Sequence, residues 1–345
     1  MKLAVVLFNL GGPDSLEAVE PFLQKLFSDP AIISLPFWIR KPLARRIARR
    51  RAPIAREIYK HIGGRSPILE QTLAQAGALE AVLASRGSRA KVFVAMRTWK
   101  PMSDETARNV AAYGPDMIVL LPLYPQYSAT TTASSVLAWR EAAAKVGLKA
   151  IERRVCCYPS EAGFVAAIRD GLQAALARRR PDVNYRILFS AHGLPQRMIA
   201  AGDPYQWQVE QTVEAVARGF GASGFDWRIS YQSRVGPLKW LQPATDAEIR
   251  RAGEEQKGLI IVPVAFVSEH SETLVELDIE YARLARESGV ADYIRVPAVG
   301  VAHSFIDGLA NLVMKAVSVD NPVSSGDGRI CPASFAKCGM GRSLA

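Results

Sequence analysis

Acidic residues and a histidine follow one apolar run at close spacing, in the stretch GLIIVPVAFVSEHSETLVELDIEYARLA at positions 258–285. After the run, which ends at Phe266, come Glu269, His270, Glu272, Glu276, Asp278 and Glu280. Carboxylates gathered beside a histidine are a suitable site for a divalent metal ion in transit. An acid in the first turn of a helix is also stabilised by the helix dipole. Glu272, just past the apolar run, is therefore a candidate metal ligand.

An exposed helix face would explain the same acids without any chemistry. An apolar stripe would run along one side of an α-helix here, through Leu274, Leu277, Tyr281 and Leu284. The acids at positions i, i+4 and i+8 would fall roughly opposite it: Glu272, Glu276 and Glu280. The pattern alone favours a solvated face, whereas the position after a strand favours a site for the first acid.

His192 is the other residue placed for chemistry, in the segment LFSAHGLP, where an apolar run breaks at Gly193 and Pro195. The sequence has four histidines; His61 lies in a basic segment and His303 begins the last predicted helix, so both are expected in surface or local roles. A histidine at the end of a strand can act as a base near neutral pH or as a metal ligand. A purely structural role is the alternative.

Eight segments are candidates for the strands that would position these residues: 3–8, 92–96, 117–123, 150–155, 186–190, 227–231, 259–266 and 293–299. The runs are continuous rather than alternating, as in parallel strands covered on both faces. Helical patterns, such as 70–84 and 162–179, lie between them. The layout predicts a doubly wound α/β fold with parallel sheets.

The two sets of strands carry similar segments in the same order. For example, IVLLPLYPQYSATTTASS (118–135) matches LIIVPVAFVSEHSETLVE (259–276). We expect two similar Rossmann-like domains, residues 1–155 and 156–315, followed by a tail at 316–345. Ligands of open α/β sheets bind outside the carboxyl ends of the strands, so the candidate residues should line one cleft between the halves.

Composition restricts the partners and the compartment. The chain has 345 residues, a net charge of +10 and a pI of about 9.6, so an anionic partner is expected. We expect no nucleic acid, because no DNA- or RNA-binding motif accompanies the charge. The Gly-rich loops of dinucleotide and nucleotide sites are also missing. No run is long enough to span a membrane, and four cysteines do not make a disulfide scaffold, which predicts a cytosol-like compartment.

The basic charge is concentrated in the segment 34–68, where cations alternate with bulky apolar residues. The cations are Arg40, Lys41, Arg45, Arg46, Arg49, Arg50, Arg51 and Arg56. Their apolar neighbours are Leu35, Phe37, Trp38, Ile39, Leu43 and Ile47. This combination suits an anionic lipid interface, and a solvated basic helix is the alternative.

Long motifs within residues 3–315 resemble one known family. They are NLGGPDSLEAVEPFLQKLFSD, IGGRSPI, LYPQYSATTTASS, FSAHGLP, QSRVGPLKWLQP and VPVAFVSEHSETLVELDIEY. Together they are similar to ferrochelatase, the lyase that completes haem synthesis. The resemblance implies that the chain inserts Fe²⁺, its metal substrate, into protoporphyrin IX to form protohaem, in a cleft between two Rossmann-like halves.

The resemblance also assigns roles to residues. It implies that His192 takes the pyrrole N–H protons or meets the metal, that Glu272 faces it, and that Glu276 continues a path for iron or protons. In the family this helix is overwound towards π geometry, so its acids line up on the pocket side. Pocket-wall and propionate-binding positions fall on Leu10, Arg97, Tyr127, Ser128 and Trp240. Leu10 stands where relatives carry Met or Tyr.

Membrane contact and an iron–sulfur cluster follow from the same resemblance. Segment 34–56 matches the family's lip over the pocket mouth, so we expect a cytoplasmic protein associated peripherally with the anionic inner membrane. Some members hold a [2Fe–2S] cluster through cysteines of the tail and the body. Such a cluster needs four thiolates, and the chain offers Cys156, Cys157, Cys331 and Cys338. Thiols on a flexible tail are the alternative, and a homodimer is compatible with the family.

Two other functions stay open at this point. A chelatase for coproporphyrin or sirohydrochlorin would use the same kind of cleft, although the apolar lip favours protoporphyrin, the least polar of these. The non-enzymatic alternative is a two-lobed protein that carries porphyrin or metal.

Overall fold

Two parallel sheets form the centre of the molecule in the computed structural model, which describes residues 1–220, 225–234, 236 and 238–340. In chain order the strands are β1 (Leu3–Asn9), β2 (Ala90–Met96), β3 (Met117–Pro122), β4 (Ile151–Cys157), β5 (Tyr185–His192), β6 (Asp226–Gln232), β7 (Gly258–Pro263), β8 (Tyr293–Arg295) and β9 (Val323–Ser324). The first sheet has the order β2-β1-β3-β4-β9, and the second has the order β6-β5-β7-β8. The α/β fold with parallel sheets is therefore confirmed.

The strands follow the predicted apolar runs closely. Every residue of β1, β3 and β7 is buried, which explains why their sequences are continuously apolar. β7 and β8 end earlier than predicted, at Pro263 and just before Val296-Pro297. Proline has no N–H to extend a ladder, so it ends the pairing at these points.

Helices cover the sheets and connect the strands. In chain order they are α1 (Val19–Phe27), α2 (Phe37–Lys60), α3 (Ile68–Ser85), α4 (Ser103–Tyr113), π1 (Ala129–Ala133), α5 (Ser134–Lys145), α6 (Ala162–Ala177), α7 (Gln196–Ala200), α8 (Tyr205–Arg218), α9 (Thr245–Glu254), π2 (Glu272–Tyr281), α10 (Ala282–Glu287) and α11 (His303–Ser318). Both π-helices begin within the matching segments 118–135 and 259–276, and the second runs on to Tyr281, so the similarity between the halves extends to local backbone geometry.

Two buried glutamines of the first half of the chain hydrogen-bond to loops of the second half. Gln75 of α3 donates to the carbonyl oxygens of Val267, at 2.7 Å, and Gly300, at 3.0 Å. Gln126, after β3, donates to the carbonyl oxygen of Val264 at 2.9 Å. These bonds fix the loop after β7, which carries the acidic segment, against the first half of the chain.

The predicted tail is partly built into the fold. Val323 and Ser324 form β9, which pairs with β4 at the edge of the first sheet. β4 itself runs on to Cys157. The division into domains at 1–155 and 156–315 with a tail at 316–345 stays a prediction.

Candidate active site

His192 and Gln232 end neighbouring strands and lie side by side. They are register partners at the last positions of β5 and β6, and β7 leads into π2 at the same edge of the sheet. The Nδ1 atom of His192 lies 2.9 Å from Oε2 of Glu272, the first residue of π2. The structure thus brings together the histidine and the acid that the sequence singled out in two distant segments.

The pair is partly open and strongly coupled. The side chains of His192 and Glu272 are 35% and 26% exposed, so a ligand can reach both. Burial lowers the pKa of His192, but the carboxylate of Glu272 more than reverses this and leaves the pKa raised. Burial raises the pKa of Glu272, but His192 and His270 hold it well below its ordinary value. Glu272 is therefore an anion at neutral pH, facing an imidazole that protonates readily.

His270 supports the pair from behind. It is buried, its Nδ1 lies 3.1 Å from the carbonyl oxygen of Ser268, and its Nε2 lies 3.9 Å from Oε2 of Glu272. The ring of Phe266 packs against both histidine rings, with centroids 6.4 Å from His192 and 4.8 Å from His270. This aromatic contact restricts the orientation of both imidazoles.

Glu276 is held by four donors on its two carboxylate oxygens. Oε1 accepts from the Ser233 N–H at 2.8 Å and from the Tyr281 hydroxyl at 3.0 Å. Oε2 accepts from the Ser233 hydroxyl and from Gln232 Nε2, the latter at 3.0 Å. Burial and the charge of Glu272 nevertheless raise the pKa of Glu276. Glu276 is thus a fixed acid one step further from the histidine.

The π geometry explains why both acids face the site. Glu272–Tyr281 is a π-helix, as the family resemblance implies, so the α-helical periodicity does not describe this segment. Glu272 and Glu276 both contact the ends of β5 and β6. Glu280 is exposed, in agreement with the solvated-face interpretation for that residue alone. Asp278 instead pairs with Arg295, at 2.7 Å from Nε.

Tyr59 of α2 lies close to the start of π2, where Glu272 is. It is the second-last residue of α2, is 7% exposed, and its hydroxyl lies near the side chain of Ser271, directly before π2. Burial raises the pKa of Tyr59 to about 12. The site is thus assembled from both halves of the chain.

Two of the predicted wall residues lie near the histidine or at the strand ends. Trp240 is half-buried and its ring would lie 3.5 Å from a Cβ atom at Gly193, the residue after His192. Leu10 follows β1, and its carbonyl oxygen accepts from the Thr98 N–H at 2.9 Å. Both positions agree with a cleft at the carboxyl ends of the strands.

The other three predicted wall residues are more enclosed. Arg97 forms an ion pair of 2.8 Å with the buried Asp29 and donates from Nε to Ser134 at 2.6 Å. It lines a cavity of about 380 Å³, together with Lys25 and Met102 among others. Tyr127 and Ser128 are 2% and 1% exposed, and the Tyr127 ring packs among cysteines. Their predicted contact with a porphyrin therefore stays a prediction.

All four cysteines are buried, and Cys156 and Cys157 pack beside Tyr127. Cys331 of the tail lies near Cys157, since both sulfurs accept from Nε2 of Gln208. The thiols of Cys156 and Cys157 lie close to one another, as do those of Cys331 and Cys338. The neighbouring thiol, and secondly burial, raise the pKa values of Cys157 and Cys331. Over the described ranges, no group of three or more His, Cys, Asp or Glu side chains could hold a single metal ion. The tail cysteines are thus packed against the body rather than left on a flexible segment.

The basic segment forms α2 with an exposed aromatic end. Phe37 and Trp38 are 64% and 73% exposed. A second cavity, of about 350 Å³, is lined by Pro42 and by Arg45, Arg46, Arg49 and Arg50. Of the helices in the part of the chain that is described, none has the length and apolarity needed to cross a membrane.

Sequence reasoning missed several residues that complete the site. Gln232 and Ser233 hold Glu276, Tyr281 closes the same carboxylate, and Tyr59 reaches in from α2. Gln232 and Ser233 stand at the end of a predicted strand, which is a usable signal. Tyr281 is five residues after Glu276, a spacing that only a π-helix brings to one side.

Comparison with known proteins gives one consistent family. The family model described as Ferrochelatase matches residues 2–317. A ferrochelatase of Caulobacter vibrioides (strain NA1000 / CB15N) is 54% identical over 340 residues, which cover 98% of this chain and 97% of the relative. One from Phenylobacterium zucineum (strain HLK1) is 55% identical over 340 residues, covering 98% of each chain. One from Pelagibacter ubique (strain HTCC1062) is 46% identical over 341 residues, again covering 98% of each.

A solved structure shares the fold. SirB from Bacillus subtilis, with Fe³⁺, superposes with a TM-score of 0.51 at 12% identity, covering 92% of this chain and 96% of that one. At this identity the similarity concerns the arrangement of strands and helices alone.

Proposed function

This chain belongs to the ferrochelatase family, the lyases that insert Fe²⁺ into a porphyrin in haem biosynthesis, and we propose that His192 and Glu272 mark the place where the ion enters the ring. The observation that carries this proposal is the 2.9 Å contact between the two side chains, both partly exposed where the strands end. It joins a base and an anion, which are the two groups that this reaction requires.

His192 takes protons from the porphyrin in this proposal. Two pyrrole N–H protons must leave as the metal enters, and a neutral imidazole is a suitable acceptor near neutral pH. When Nδ1–H donates to Glu272, the lone pair on Nε2 is available to accept a proton. The carboxylate then stabilises the imidazolium that forms, in agreement with the raised pKa of His192.

Glu272 and Glu276 have different tasks in the same proposal. His192, Ser233 and His270 all approach Oε2 of Glu272, so Oε1 is the oxygen that we assign to the incoming Fe²⁺. Glu276 has four donors on its carboxylate and supplies fixed negative charge, which attracts a cation and favours protonated His192. The raised pKa of Glu276 also allows it to receive a proton that Glu272 cannot hold.

Protoporphyrin IX is the porphyrin that we propose. The exposed Phe37 and Trp38 and the arginines around the second cavity make α2 an amphipathic element suited to an anionic membrane surface. A substrate dissolved in the membrane would reach the site along α2, since Tyr59 at its other end contacts Ser271. Peripheral association with the cytoplasmic face of the inner membrane follows as part of this proposal. A homodimer is compatible with it, and coproporphyrin stays the alternative substrate.

The five predicted wall residues keep their proposed roles in porphyrin binding, some by direct contact and some by supporting the wall: Leu10, Trp240, Arg97, Tyr127 and Ser128. We assign direct contact with the macrocycle to Leu10, which follows β1, and to Trp240, which lies beside Gly193. Arg97 is paired with Asp29, so we propose that it acts on a propionate only through the outer part of its guanidinium. Tyr127 and Ser128 support the wall from inside.

We also propose a [2Fe–2S] cluster at the four cysteines. The support is the donor set: two close thiol pairs, Cys156–Cys157 and Cys331–Cys338, match the four thiolates that such a cluster takes. When bound, the group would supply one-electron redox chemistry. Metal binding would deprotonate the thiols, which the raised pKa values of Cys157 and Cys331 oppose in its absence.

Metal insertion into defined porphyrins tests the proposed function. The full-length protein is mixed with Fe²⁺ or Zn²⁺ and with protoporphyrin IX, coproporphyrin or sirohydrochlorin, and product is followed by absorption or fluorescence. We expect many turnovers with protoporphyrin IX. Product that never exceeds one equivalent of protein would refute the proposed catalysis. A clear preference for coproporphyrin would refute protoporphyrin IX as the proposed substrate.

A further inference from the structure

One buried side chain links the cysteine site to the proposed porphyrin wall. Gln208, in the first turn of α8, is fully buried. Its Nε2 donates to Sγ of Cys331 at 3.0 Å and to Sγ of Cys157 at 3.4 Å. Its Oε1 accepts from the backbone N–H of Tyr127 at 2.7 Å. A single amide therefore contacts a cysteine of the tail, a cysteine of the body and the backbone just before π1.

Asp203, just before α8, holds the next residues of the same wall segment. Its Oδ2 accepts from the Ser128 hydroxyl at 3.0 Å and from the Ala129 N–H at 2.8 Å. Its Oδ1 accepts from the Tyr205 N–H at 3.0 Å. The hydroxyl of Tyr205 in turn donates to the carbonyl oxygen of His192 at 3.0 Å. The start of α8 thus contacts the wall on one side and the proposed base on the other.

The cysteine-bearing tail docks on this element a second time. The Lys337 N–H donates to the carbonyl oxygen of Gly202 at 3.1 Å, next to Asp203. Gly202 has φ of +90°, and a Cβ atom there would lie 2.9 Å from the backbone nitrogen of Ala336. The close approach needs glycine for both reasons, so the tail and residues 202–208 are fitted to one another.

We infer that residues 202–208 transmit the state of the four-cysteine site to the iron-insertion site, with Gln208 as the positioning residue. A change at Cys331 or Cys157 removes acceptors from a buried amide, which is costly unless the amide turns. Turning it releases the Tyr127 N–H, and Tyr127 is continuous with the Ser128–Ala129 contacts to Asp203. Porphyrin binding therefore depends on the cysteines. The inference rests on the proposed function, because it takes Tyr127 and His192 as parts of the porphyrin site.

A double-mutant cycle on porphyrin binding tests the inference. The dissociation constant for protoporphyrin IX is measured by quenching of tryptophan fluorescence in the full chain, with Cys331→Ala, Gln208→Leu and both changes together. Alanine removes the sulfur acceptor, so we expect Cys331→Ala to weaken binding about fivefold or more, in the usual range of coupled sites. In the Gln208→Leu background the same change should have little further effect. Gln211→Leu, on the same helix and away from the cysteines, is the matched control and should leave the coupling intact.

Each outcome decides the matter. Fold-changes that multiply, or a Cys331→Ala protein that binds porphyrin as the parent does, would overturn the inference. If Gln208→Leu does not fold, Gln208→Glu replaces it: it keeps the acceptor for the Tyr127 N–H and has no donor for sulfur, so Cys331→Ala should have little further effect in that background. A parent protein that binds no porphyrin would instead refute the proposed function.

Discussion

The imidazole of His192 and the carboxylate of Glu272 are hydrogen-bonded at 2.9 Å, although 80 residues separate them in the sequence. The bond exists because β5 and β7 are neighbours in a parallel sheet and end at the same edge. It also ties together two opposite pKa changes, a raised pKa for the histidine and a lowered one for the acid. A base whose conjugate acid is stabilised by a partner in place needs little rearrangement when the porphyrin loses its protons.

Removing the base should stop insertion and spare binding. For His192→Ala we expect kcat to fall about 10²- to 10⁴-fold, the usual contribution of a general base. Protoporphyrin affinity should change little, because the macrocycle is held by other residues. His303→Ala is the control, since that histidine is 87% exposed and pairs with Asp307 on its own helix. Steady-state kinetics with Zn²⁺, compared with fluorescence titration, separates the two effects. Substantial remaining turnover would refute the role of His192.

The charge of Glu272 should set the pH at which His192 titrates. In the parent protein this charge raises the pKa of His192, so the neutral base appears only at higher pH. In Glu272→Gln the pKa should fall, and the acidic limb of the kcat/KM profile should move to lower pH. NMR titration of the imidazole measures the first effect directly. Glu280→Gln, which changes an exposed acid on the same helix, is the matched control. An unchanged His192 titration would contradict the proposed pair.

The fold and the first residues of the site can be predicted from the sequence, because both follow from local patterns. Buried parallel strands leave continuous apolar runs, and their ends must share one edge, so His192 and Glu272 could be placed together. The same patterns do not give the contacts of Ser233 with Glu276 or of Tyr59 with Ser271. Those depend on how distant elements pack, and no spacing in the sequence encodes them.

The wall residues show the limit of motif matching. Tyr127 and Ser128 match family positions, yet both side chains are almost fully buried, and Gln208 and Asp203 hold them from behind. A motif identifies which residues matter. It does not say whether a residue contacts the ligand or supports other residues that do. The packing of the tail residues Ile330 and Met340 beside Tyr127 and the body cysteines is likewise visible only in three dimensions.

Charge on α2 should govern membrane binding. Neutralising Arg45, Arg46, Arg49 and Arg50 to Gln removes cations that line one cavity, each contributing about 1 kcal/mol near an anionic surface. Co-sedimentation with phosphatidylglycerol-containing vesicles should therefore drop sharply, and more so at low salt. The control removes the same total charge at exposed positions elsewhere: Arg89, Lys91, Arg108 and Lys149. Equal binding by both quadruple variants would show that net charge alone, rather than α2, is responsible.

The four cysteines should hold an iron–sulfur chromophore. When the full chain is produced with iron and purified without oxygen, we expect visible absorption bands that bleach on reduction. Cys331→Ser should lose them, because three thiolates do not complete the cluster. Ser334→Ala, an exposed position in the same tail segment, should keep them. Iron and acid-labile sulfide analysis measures the occupancy independently of enzyme activity. A colourless parent protein with neither iron nor sulfide would refute the cluster and leave the buried thiols as packing between the tail and the first sheet.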